Sequence, residues 1–484
     1  MSLESIRPGA ELELAARVVE LVRRAAGQSA EAEVMVRHDA EALTRFAVSM
    51  IHQNVASAVT TVGLRLHLDG RTASGATTVV DADGLRGLVE RTVAAARLSP
   101  PDVTWPGLTP PSPLHHSAGY HGSGEHSRLD FGFDEATARA TPAERAERVR
   151  DFVRAADGLE TAGFCRTTYT SAAFANTAGQ AAEGRTAEAA MDGIARLSGA
   201  DGVARLAGGR LADLDGAALG ARAAAKARAG QSPVELPPGR YEVVLEPEAV
   251  ADLLDNFAVF GFNGKAYAQK QSFAELGAEQ FDPSVTLVDE PLGSRDEHAP
   301  GLPFDDEGTP RESLVLVREG VTKAVAHDRT SAAEAGAVST GHASGASRTW
   351  GPYPTHLRLE ASPAGTLPAT DPIGPAAASA SPLVARMKRG LLITDLWYTR
   401  VLDQKALVIT GLTRNGVWLV ENGEVTAAVG NMRFTQSYPQ ALGVGRVLGI
   451  GGESVLLPDR WSGTRYAAPA LHLASWNLTG NASG

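Results

Sequence analysis

The chain has 484 residues, of which 43% are hydrophobic and 21% charged, and this length and composition predict two or three folded domains. Its formal net charge is −11 and no stripe of Lys or Arg interrupts the sequence, which argues against nucleic acid as a partner. The single cysteine cannot form an internal disulfide or a CxxC zinc pair. The sequence lacks an apolar run of about 18 residues, and it does not start with a basic stretch followed by an apolar one. We therefore expect a cytoplasmic protein.

The first hundred residues show helix patterns on either side of strand patterns. Apolar residues recur every three or four positions over 11–26 and over 85–93, which predicts two helices. Between them, residues 62–68 alternate in polarity as a half-buried strand does. Asp69-Gly70 is a hairpin turn signal, and residues 77–80 offer the returning strand. This order indicates an antiparallel sheet with helices on one side.

The next stretch begins with a loop rich in Pro, Ser, Gly and His, predicted over 98–127. A strong helix start follows at 141–144, where Thr is the N-cap, Pro the first helical residue and Glu the third. A strand-like stretch then runs to about residue 197, and an alanine-rich helix is predicted over about 211–228.

The Pro-rich segment 232–239 is the best domain boundary in the sequence. We therefore predict an α+β protein with two domains. Residues 1–231 form an N-terminal α/β domain with an antiparallel sheet, flanking helices and the loop 98–127 as an insertion. Residues 232–484 form a C-terminal, mainly antiparallel β domain. Its low-complexity Ala/Pro/Ser/Gly segment 361–382 is predicted to be a mobile surface loop.

Three features suggest chemistry, but each has a simpler interpretation. The Gly-rich segment 443–452 is not part of a βαβ unit, so we interpret it as a turn-rich strand connection. Cys165 has Arg166 beside it but no identifiable base, so we interpret it as a buried structural residue. A cluster of histidines in the first loop has no cysteine near it and is interpreted as a solvated loop. Its members are His115, His116, His121 and His126.

The most acidic short motif is Asp305-Asp306-Glu307. Three adjacent carboxylates can bind a cation through oxygen. They can equally accept N–H groups and order a turn, which is what Asp-rich turns usually do. The motif alone does not decide between a cation site and a turn.

Six stretches carry a resemblance when they are taken in order along the chain. They are 43–47 with 51–54, 174–179, 303–310, 339–343, 390–394 and 420–424. Their order and spacing cover about residues 30–480 and resemble the TldD/PmbA family of zinc peptidases. The resemblance implies an N-terminal α/β domain, a C-terminal, largely antiparallel β domain and a dimer that encloses a substrate chamber.

TldD-like members of that family carry a His-Glu-x-x-x-His helix and a later cysteine, which together bind zinc, and the glutamate acts on the attacking water. That helix should follow a predicted strand at 243–245. In this chain a helix is predicted at about 248–260, but residues 246–260 contain no histidine and 457–463 contain no cysteine. Both halves of the zinc site are missing. The chain therefore resembles the PmbA, or TldE, kind, whose members look metal-free and assemble with a TldD-like subunit.

The resemblance implies a non-catalytic subunit of a heterodimeric zinc peptidase that acts on small or unfolded peptides, with zinc in the TldD-like partner. No catalytic, cofactor-binding or metal-binding residue is predicted in this chain. Residues in the matching motifs are candidates for shaping the substrate chamber. They are Arg45, Asn54, Asp305, Asp306 and His342. We expect His342 to be structural or chamber-lining, because no zinc ligands accompany it.

Two other interpretations stay open at this point. The first is a self-sufficient hydrolase with a different metal site, made of the 305–307 carboxylates and either His327 or His342. The second is a peptide-binding or scaffold homodimer with no proteolytic role.

Overall fold

The computed structural model describes residues 10–114, 133–293, 301–361, 366–368, 370, 372, 374–458 and 464–482. The histidine-rich part of the first predicted loop, from residue 115 onward, lies outside these residues. Within them, no helix is both long and apolar enough to cross a membrane. Helices and strands are mixed, as the sequence predicts for an α+β protein.

The N-terminal half consists of six strands and the helices that pack on them. Its elements are α1 (Ala10–Ala26), β1 (Glu31–Ala47), β2 (Met50–Leu68), β3 (Arg71–Thr77), α2 (Ala82–Leu98), α3 (Glu135–Ala138), α4 (Pro142–Ala155), β4 (Glu160–Asn176), β5 (Ala181–Leu197), β6 (Ala200–Gly208), a 3₁₀ turn (Leu211–Asp213) and α5 (Gly216–Ala229).

The six strands form one antiparallel sheet in the order β3-β2-β1-β4-β5-β6. Alternate residues of β1, such as Val34, Val36 and Phe46, are buried against the helices. Successive strand residues point to opposite faces, so the residues between them face away from the helices. One face of this sheet is therefore available to the rest of the molecule.

Two predicted elements differ in position from the structure. The returning strand β3 begins at Arg71, directly after the turn, rather than at residues 77–80. Asp69 and Gly70 both have positive φ, as a two-residue hairpin turn requires, so no loop separates the strands. The alanine-rich helix α5 begins at Gly216 rather than at 211, because Asp215 caps it through the N–H of Ala218.

The C-terminal half is mostly strand. Its elements are β7 (Gly239–Leu245), α6 (Pro247–Asn256), a π-helical turn (Phe257–Gly261), α7 (Gly264–Ala268), β8 (Val285–Asp289), β9 (Leu314–Arg318), β10 (Val321–Thr322), α8 (Arg329–Ala335), α9 (Ser347–Trp350), β11 (His356–Ala361), β12 (Thr366–Leu367), α10 (Ser381–Val384), β13 (Arg389–Asp403), β14 (Val408–Glu421), β15 (Glu424–Ala428), β16 (Met432–Ser437), α11 (Tyr438–Ala441), β17 (Val447–Gly451), β18 (Val455–Leu457), β19 (Arg465–Ala468) and β20 (Leu471–Asn481).

These strands form two sheets around one core. The first has the order β10-β9-β8-β11-β19-β18, and the second has the order β12-β17-β20-β16-β14-β13-β7 with β15 beside β14. β20 also pairs with β7, which closes five strands of the second sheet into a ring. Most pairs are antiparallel, and the parallel ones are β11–β19, β12–β17 and β13–β7. Leu253, Leu254 and Phe257 of the α6 segment are fully buried in the core.

The segment 361–382 is not entirely a surface loop, which corrects the prediction for its described part. Ala376 and Ala380 are buried in a cluster with the indole of Trp418. Small side chains let the backbone lie close against a large aromatic ring, so the alanines that suggested low complexity serve as packing residues.

Buried ion pairs join the two halves of the chain. Lys226 on α5 lies 2.5 Å from Glu246, the residue before α6, and both side chains are fully buried. Arg222 of the same helix lies 3.1 Å from Glu248. Burying a charge is costly unless a partner compensates it, so these contacts fix α5 against the start of α6.

We predict that Lys226→Ala lowers the free energy of unfolding by about 2–3 kcal/mol, because the buried Glu246 carboxylate loses its nearer counter-charge and keeps Arg222, at 3.5 Å. The measurement is urea denaturation at neutral pH. The control is Arg228→Ala, which removes an exposed 3.0 Å ion pair with Asp157 and should cost less than about 1 kcal/mol. Equal effects of the two variants would contradict a structural role for the buried pair.

Candidate functional site

A cleft of about 590 Å³ lies between the helix-free face of the N-terminal sheet and loops of the C-terminal half. Its charged lining is balanced, with four arginines and four carboxylates. They are Arg37, Arg166, Arg311, Arg465, Asp39, Glu41, Glu188 and Asp306. Its size and its mixture of both charges suit a polar, extended ligand rather than a purely apolar one.

Side chains of β1 point alternately to the two faces of the sheet, and this places three of the charged residues in one row. Arg37, Asp39 and Glu41 are two residues apart, so all three point to the face without helices. The Arg37 guanidinium lies 3.5 Å from the Asp39 carboxylate and 3.7 Å from that of Asp306, which comes from the C-terminal half. Arg37 therefore bridges the two walls of the cleft.

Glu188 on β5 connects the walls at a second point. Its carboxylate accepts a hydrogen bond of 3.1 Å from Arg166 on β4 and another from Arg465 on β19. Burial opposes the negative charge, but Arg465 and then Arg166 hold the pKa of the Glu188 carboxyl below its ordinary value. Glu188 is therefore an ionised anchor for both arginines and not a proton donor.

His356, at the start of β11, is the imidazole that faces the cleft. Its Nε2 lies 3.3 Å from the Arg465 guanidinium, and its Nδ1 lies 3.0 Å from the Thr355 hydroxyl. Arginine can only donate, so Nε2 accepts and Nδ1 carries the hydrogen. Burial and then the charge of Arg465 lower the pKa of His356 to about 3, so the ring is neutral at physiological pH.

Asp305 and Asp306 point in different directions, although they are adjacent. Asp306 lines the cleft. Asp305 is fully buried and accepts N–H groups from Glu307, Thr309 and Ala343 at 2.8–2.9 Å. Burial, and then the neighbouring Glu307 carboxylate, raise the pKa of Asp305 to about 7. Of the two, Asp305 orders the turn and Asp306 reaches the ligand space.

His342 is buried beneath the cleft rather than exposed in it. Its Nε2 lies 2.9 Å from Asp289 Oδ2, and its Nδ1 lies 2.8 Å from the Thr340 hydroxyl. The other oxygen of Asp289 accepts the backbone N–H of His356 at 2.7 Å. Burial opposes the Asp289 charge, but the hydrogen bond and charge of His342 hold the pKa of Asp289 below its ordinary value. His342 thus supports the cleft wall through Asp289.

Arg45 and Asn54 are not brought together with the other candidates. Both are exposed near the turn of the β1–β2 hairpin, beyond the residues of β1 that line the cleft. Asn54 accepts the Thr44 hydroxyl at 2.6 Å, and Arg45 lies 3.5 Å from Gln53. A role for either residue in a substrate chamber stays a prediction.

The predicted helix after the strand at 243–245 is present as α6. Of the later segment 457–463, the structure describes Leu457 and Pro458. Leu457 and Pro458 line a small cavity together with one face of α6. The cavity volume is about 30 Å³, which is enough for about one water molecule. The α6 side chains at its wall are Glu248, Ala251, Asp252 and Asp255.

Protein groups already engage each carboxylate on this face. Glu248 pairs with Arg222, and Asp255 accepts the Tyr466 hydroxyl at 2.7 Å. Asp252 accepts the Thr399 hydroxyl at 2.9 Å. Among the residues that the structure describes, the cavity lining contains no histidine or cysteine, the nitrogen and sulfur ligands that zinc sites of this kind use.

A fixed positive charge also faces this cavity. Arg205 on β6 lines it and donates to Asp192 at 2.7 Å and to Asp395 at 3.0 Å. Burial opposes the charge, but Asp192, Asp395 and Glu248 outweigh burial and raise the pKa of Arg205 above its ordinary value. A permanent cation beside the carboxylates repels a metal ion, so the donor set does not fit zinc.

The carboxylate of Glu307 belongs to a different cluster. Arg65 donates to it at 2.9 Å and Arg329 at 3.0 Å, and Glu33 pairs with the same two arginines. His327 makes a 3.1 Å contact with Ser331. Throughout the ranges that the structure describes, no three His, Cys, Asp or Glu side chains are grouped to hold a metal ion.

Sequence reasoning missed most of the cleft. Arg37, Glu188, His356 and Arg465 are far apart in the chain, and none lies in a local motif. The one available signal was the row of charged residues at every second position of β1, which marks a polar strand face. Cys165, which the sequence did single out, is buried, and burial raises its thiol pKa to about 12. That thiol is protonated and unreactive at physiological pH.

Comparison with known proteins gives a family match and similar solved structures. A family model described as the PmbA/TldA metallopeptidase C-terminal domain matches residues 238–480. The fold is similar to the crystal structure of TldE from Thermococcus kodakarensis, with a TM-score of 0.79 and 17% identity, covering 96% of this chain and 100% of that chain. It is also similar to a proposed modulator of DNA gyrase from Bacteroides thetaiotaomicron, with a TM-score of 0.78 and 18% identity, covering 98% and 100%.

A curated relative adds a shorter match in sequence. It is an uncharacterized protein from Methanocaldococcus jannaschii, 32% identical over 104 residues. The match covers 21% of this chain and 24% of that protein, so the chain spans about a quarter of the length of this relative. At 17–18% identity, the solved structures establish a shared fold.

We predict that Glu188→Gln lowers the free energy of unfolding by about 3 kcal/mol at pH 7, because two arginines lose their counter-charge. The stabilisation from a depressed carboxyl pKa is present above the unfolded value of about 4.3 and is lost as the pH falls through the lower folded value. The difference between wild type and variant should therefore shrink below about pH 4. Urea denaturation at pH 7 and pH 3.5 measures it.

The control for this variant is Glu421→Gln, which removes a partly exposed carboxylate 3.6 Å from Arg389. Its effect should stay below about 1 kcal/mol at both pH values. A Glu188→Gln effect that does not change between the two pH values would contradict an ionised Glu188.

Proposed function

The chain belongs to the TldD/PmbA family of metallopeptidase-related proteins, and we propose that it is the metal-free, non-catalytic subunit of a heterodimeric zinc peptidase. In this proposal a TldD-like partner carries the zinc. Zinc in that subunit supplies the Lewis acid and the activated water. The residues of this chain bind and orient the peptide and close the chamber around it.

The observation that carries the proposal is the composition of the α6 face. The family's zinc helix should stand here, and this face offers carboxylates that are already bound, an alanine and no imidazole or thiolate. Leu457 and Pro458, the described residues of the segment where the later cysteine is expected, line the cavity at the same face. Arg205 adds a permanent positive charge. These features together favour a subunit that needs its partner for catalysis.

The cleft supports a role in holding an unfolded peptide. A peptide backbone presents N–H and C=O groups at regular intervals, and its termini carry charges of opposite sign. Arg37 and Asp306 meet across the cleft, and the neutral ring of His356 lies in its wall. A lining with both charges can bind such a chain without selecting one side-chain type. We therefore propose small or unfolded peptides as the substrate class.

The alternative of a self-sufficient hydrolase meets opposing observations. The three carboxylates of 305–307 serve a backbone turn, the cleft and an arginine cluster, respectively. His342 is hydrogen-bonded at both ring nitrogens. A metal site would need these groups to converge on one point. A peptide-binding homodimer stays an outcome that the following experiment can reveal.

We predict that the purified chain alone does not hydrolyse unfolded peptides, and that adding the TldD-like subunit of the same organism gives peptidase activity. That subunit alone should be at least about a hundredfold less active than the mixture, because removing part of a preorganised chamber costs several kcal/mol. A fluorogenic peptide assay of each subunit and of the mixture measures it. Activity of this chain alone would contradict the proposal.

In the assembled enzyme, Arg37→Ala should raise KM about tenfold and leave kcat within about twofold. Losing one charge-assisted hydrogen bond to substrate costs about 1.4 kcal/mol of binding, and the reacting groups lie in the other subunit. Steady-state kinetics at several peptide concentrations separates the two constants. The matched control is Arg389→Ala, an exposed arginine outside the cleft, which should change neither constant. A change in kcat without one in KM would contradict a binding role.

A further inference from the structure

The N-terminal sheet leaves one long edge without a neighbouring strand. β3 pairs with β2 only over Val62–Leu68, whereas β2 itself runs from Met50. In the part of the chain that the structure describes, no strand pairs with the outer side of Met50–Thr61. We call this segment the open edge. At about 3.4 Å per residue it is about 40 Å long, and alternate residues direct their N–H and C=O groups outward.

The sequence of the open edge contains none of the usual devices that keep an edge unpaired. It has no Asp, Glu, Lys, Arg, Pro or Gly in twelve residues, although 21% of the chain is charged. Three of its apolar side chains are exposed, with Met50 67%, Val55 42% and Val59 47% exposed. The one bulge lies near the hairpin turn, opposite Arg45 and Phe46, so the rest of the edge is regular. Such an edge is a template for another strand.

The opposite edge of the same sheet is covered by the chain itself. β6 lies against the C-terminal half, where Arg205 donates to Asp395 and Ala207 packs with Leu456 and Ala467. The protein thus protects one outer strand internally and leaves the other accessible. An accessible, neutral and regular edge is suited to pairing with a second chain.

The open edge is also one side of the cleft. Ser57 and Val59 belong to both, and they pair with Glu41 and Asp39 of the charged row on β1. A strand added beside β2 would continue the sheet and place its own side chains beside Ser57 and Val59, one strand away from this row. Among the residues that the structure describes, no strand borders the cleft beyond this part of β2, so the occupant of the edge completes the proposed peptide site.

We propose that the open edge Met50–Thr61 pairs with a strand of the TldD-like partner subunit, so that one β-sheet continues across the heterodimer and closes the cleft. This inference rests on the proposed function. The partner strand should be neutral where it faces Val55–Val59, since a charge there would meet exposed apolar side chains without a counter-charge. Main-chain hydrogen bonds supply the contact, and the neutral side chains fix its position.

The test is amide hydrogen exchange of the full chain, alone and mixed with the TldD-like subunit in the absence of peptide. Alternate amides within Met50–Thr61 should exchange at least tenfold more slowly in the mixture. A second arm uses Ala56→Lys, which places a charge on the open edge, and Ala42→Lys, which places the same charge on its register partner one strand inward. Sedimentation velocity should show at least tenfold weaker association for Ala56→Lys and less than threefold for Ala42→Lys.

The outcomes separate the two proposals. A heterodimer that forms and is active but leaves exchange over Met50–Thr61 unchanged contradicts the edge pairing and leaves the proposed function standing. If Ala56→Lys and Ala42→Lys weaken association with the TldD-like subunit equally, the edge pairing is contradicted and the proposed function is not. Absence of any complex with the TldD-like subunit, or protection of the edge only through a homodimer, contradicts the edge pairing together with the proposed function.

Discussion

A guanidinium held between two carboxylates fixes how the N-terminal sheet lies on the C-terminal half. Arg205 on β6 donates to Asp192 on β5 and to Asp395 on β13, and the Arg205 and Asp395 side chains are buried. Removing Arg205 would take the positive charge away from the buried Asp395 carboxylate, so this contact stabilises the arrangement in which these strands meet. The same contact directs a permanent positive charge at the α6 face. A divalent ion about 5 Å from that charge would be repelled by about 7 kcal/mol at an effective dielectric constant of about 20.

This docking also creates the cleft. With β6 fixed against the C-terminal half, the helix-free face of the sheet lies opposite the loop that carries Asp306 and the strand starts that carry His356 and Arg465. Glu188 and Arg37 then bridge the walls. In the part of the chain that the structure describes, the Met50–Thr61 edge of β2 is left open, because the C-terminal half contacts β2 further along the strand, at Arg65. The contact of Arg205 with Asp395 thus helps to position the α6 face, the proposed peptide site and the open edge.

The sequence predicted those features that depend on neighbours in the chain. The N-terminal helix–strand order, the capped helix at 142 and the helix after the strand at 243–245 follow from periodicity and caps, and each is present. The missing histidine on α6 was visible because a ligand helix is a local motif. The cleft was not visible, because Arg37 and Arg465 come to line the same space only after the sheets dock. The sequence could not decide the role of Asp305. An aspartate that orders a turn and an aspartate that binds a cation are the same residue, and they differ only in where the carboxylate oxygens point.

The central claim, that this chain cannot hold the catalytic zinc, is tested most directly by anomalous diffraction at the zinc edge from crystals of the assembled heterodimer. We predict one strong zinc peak, bound by residues of the TldD-like subunit, and no peak within about 3 Å of the α6 carboxylates. A zinc peak coordinated by Glu248, Asp252 or Asp255, with the Arg205 guanidinium displaced from the cavity, would contradict the account.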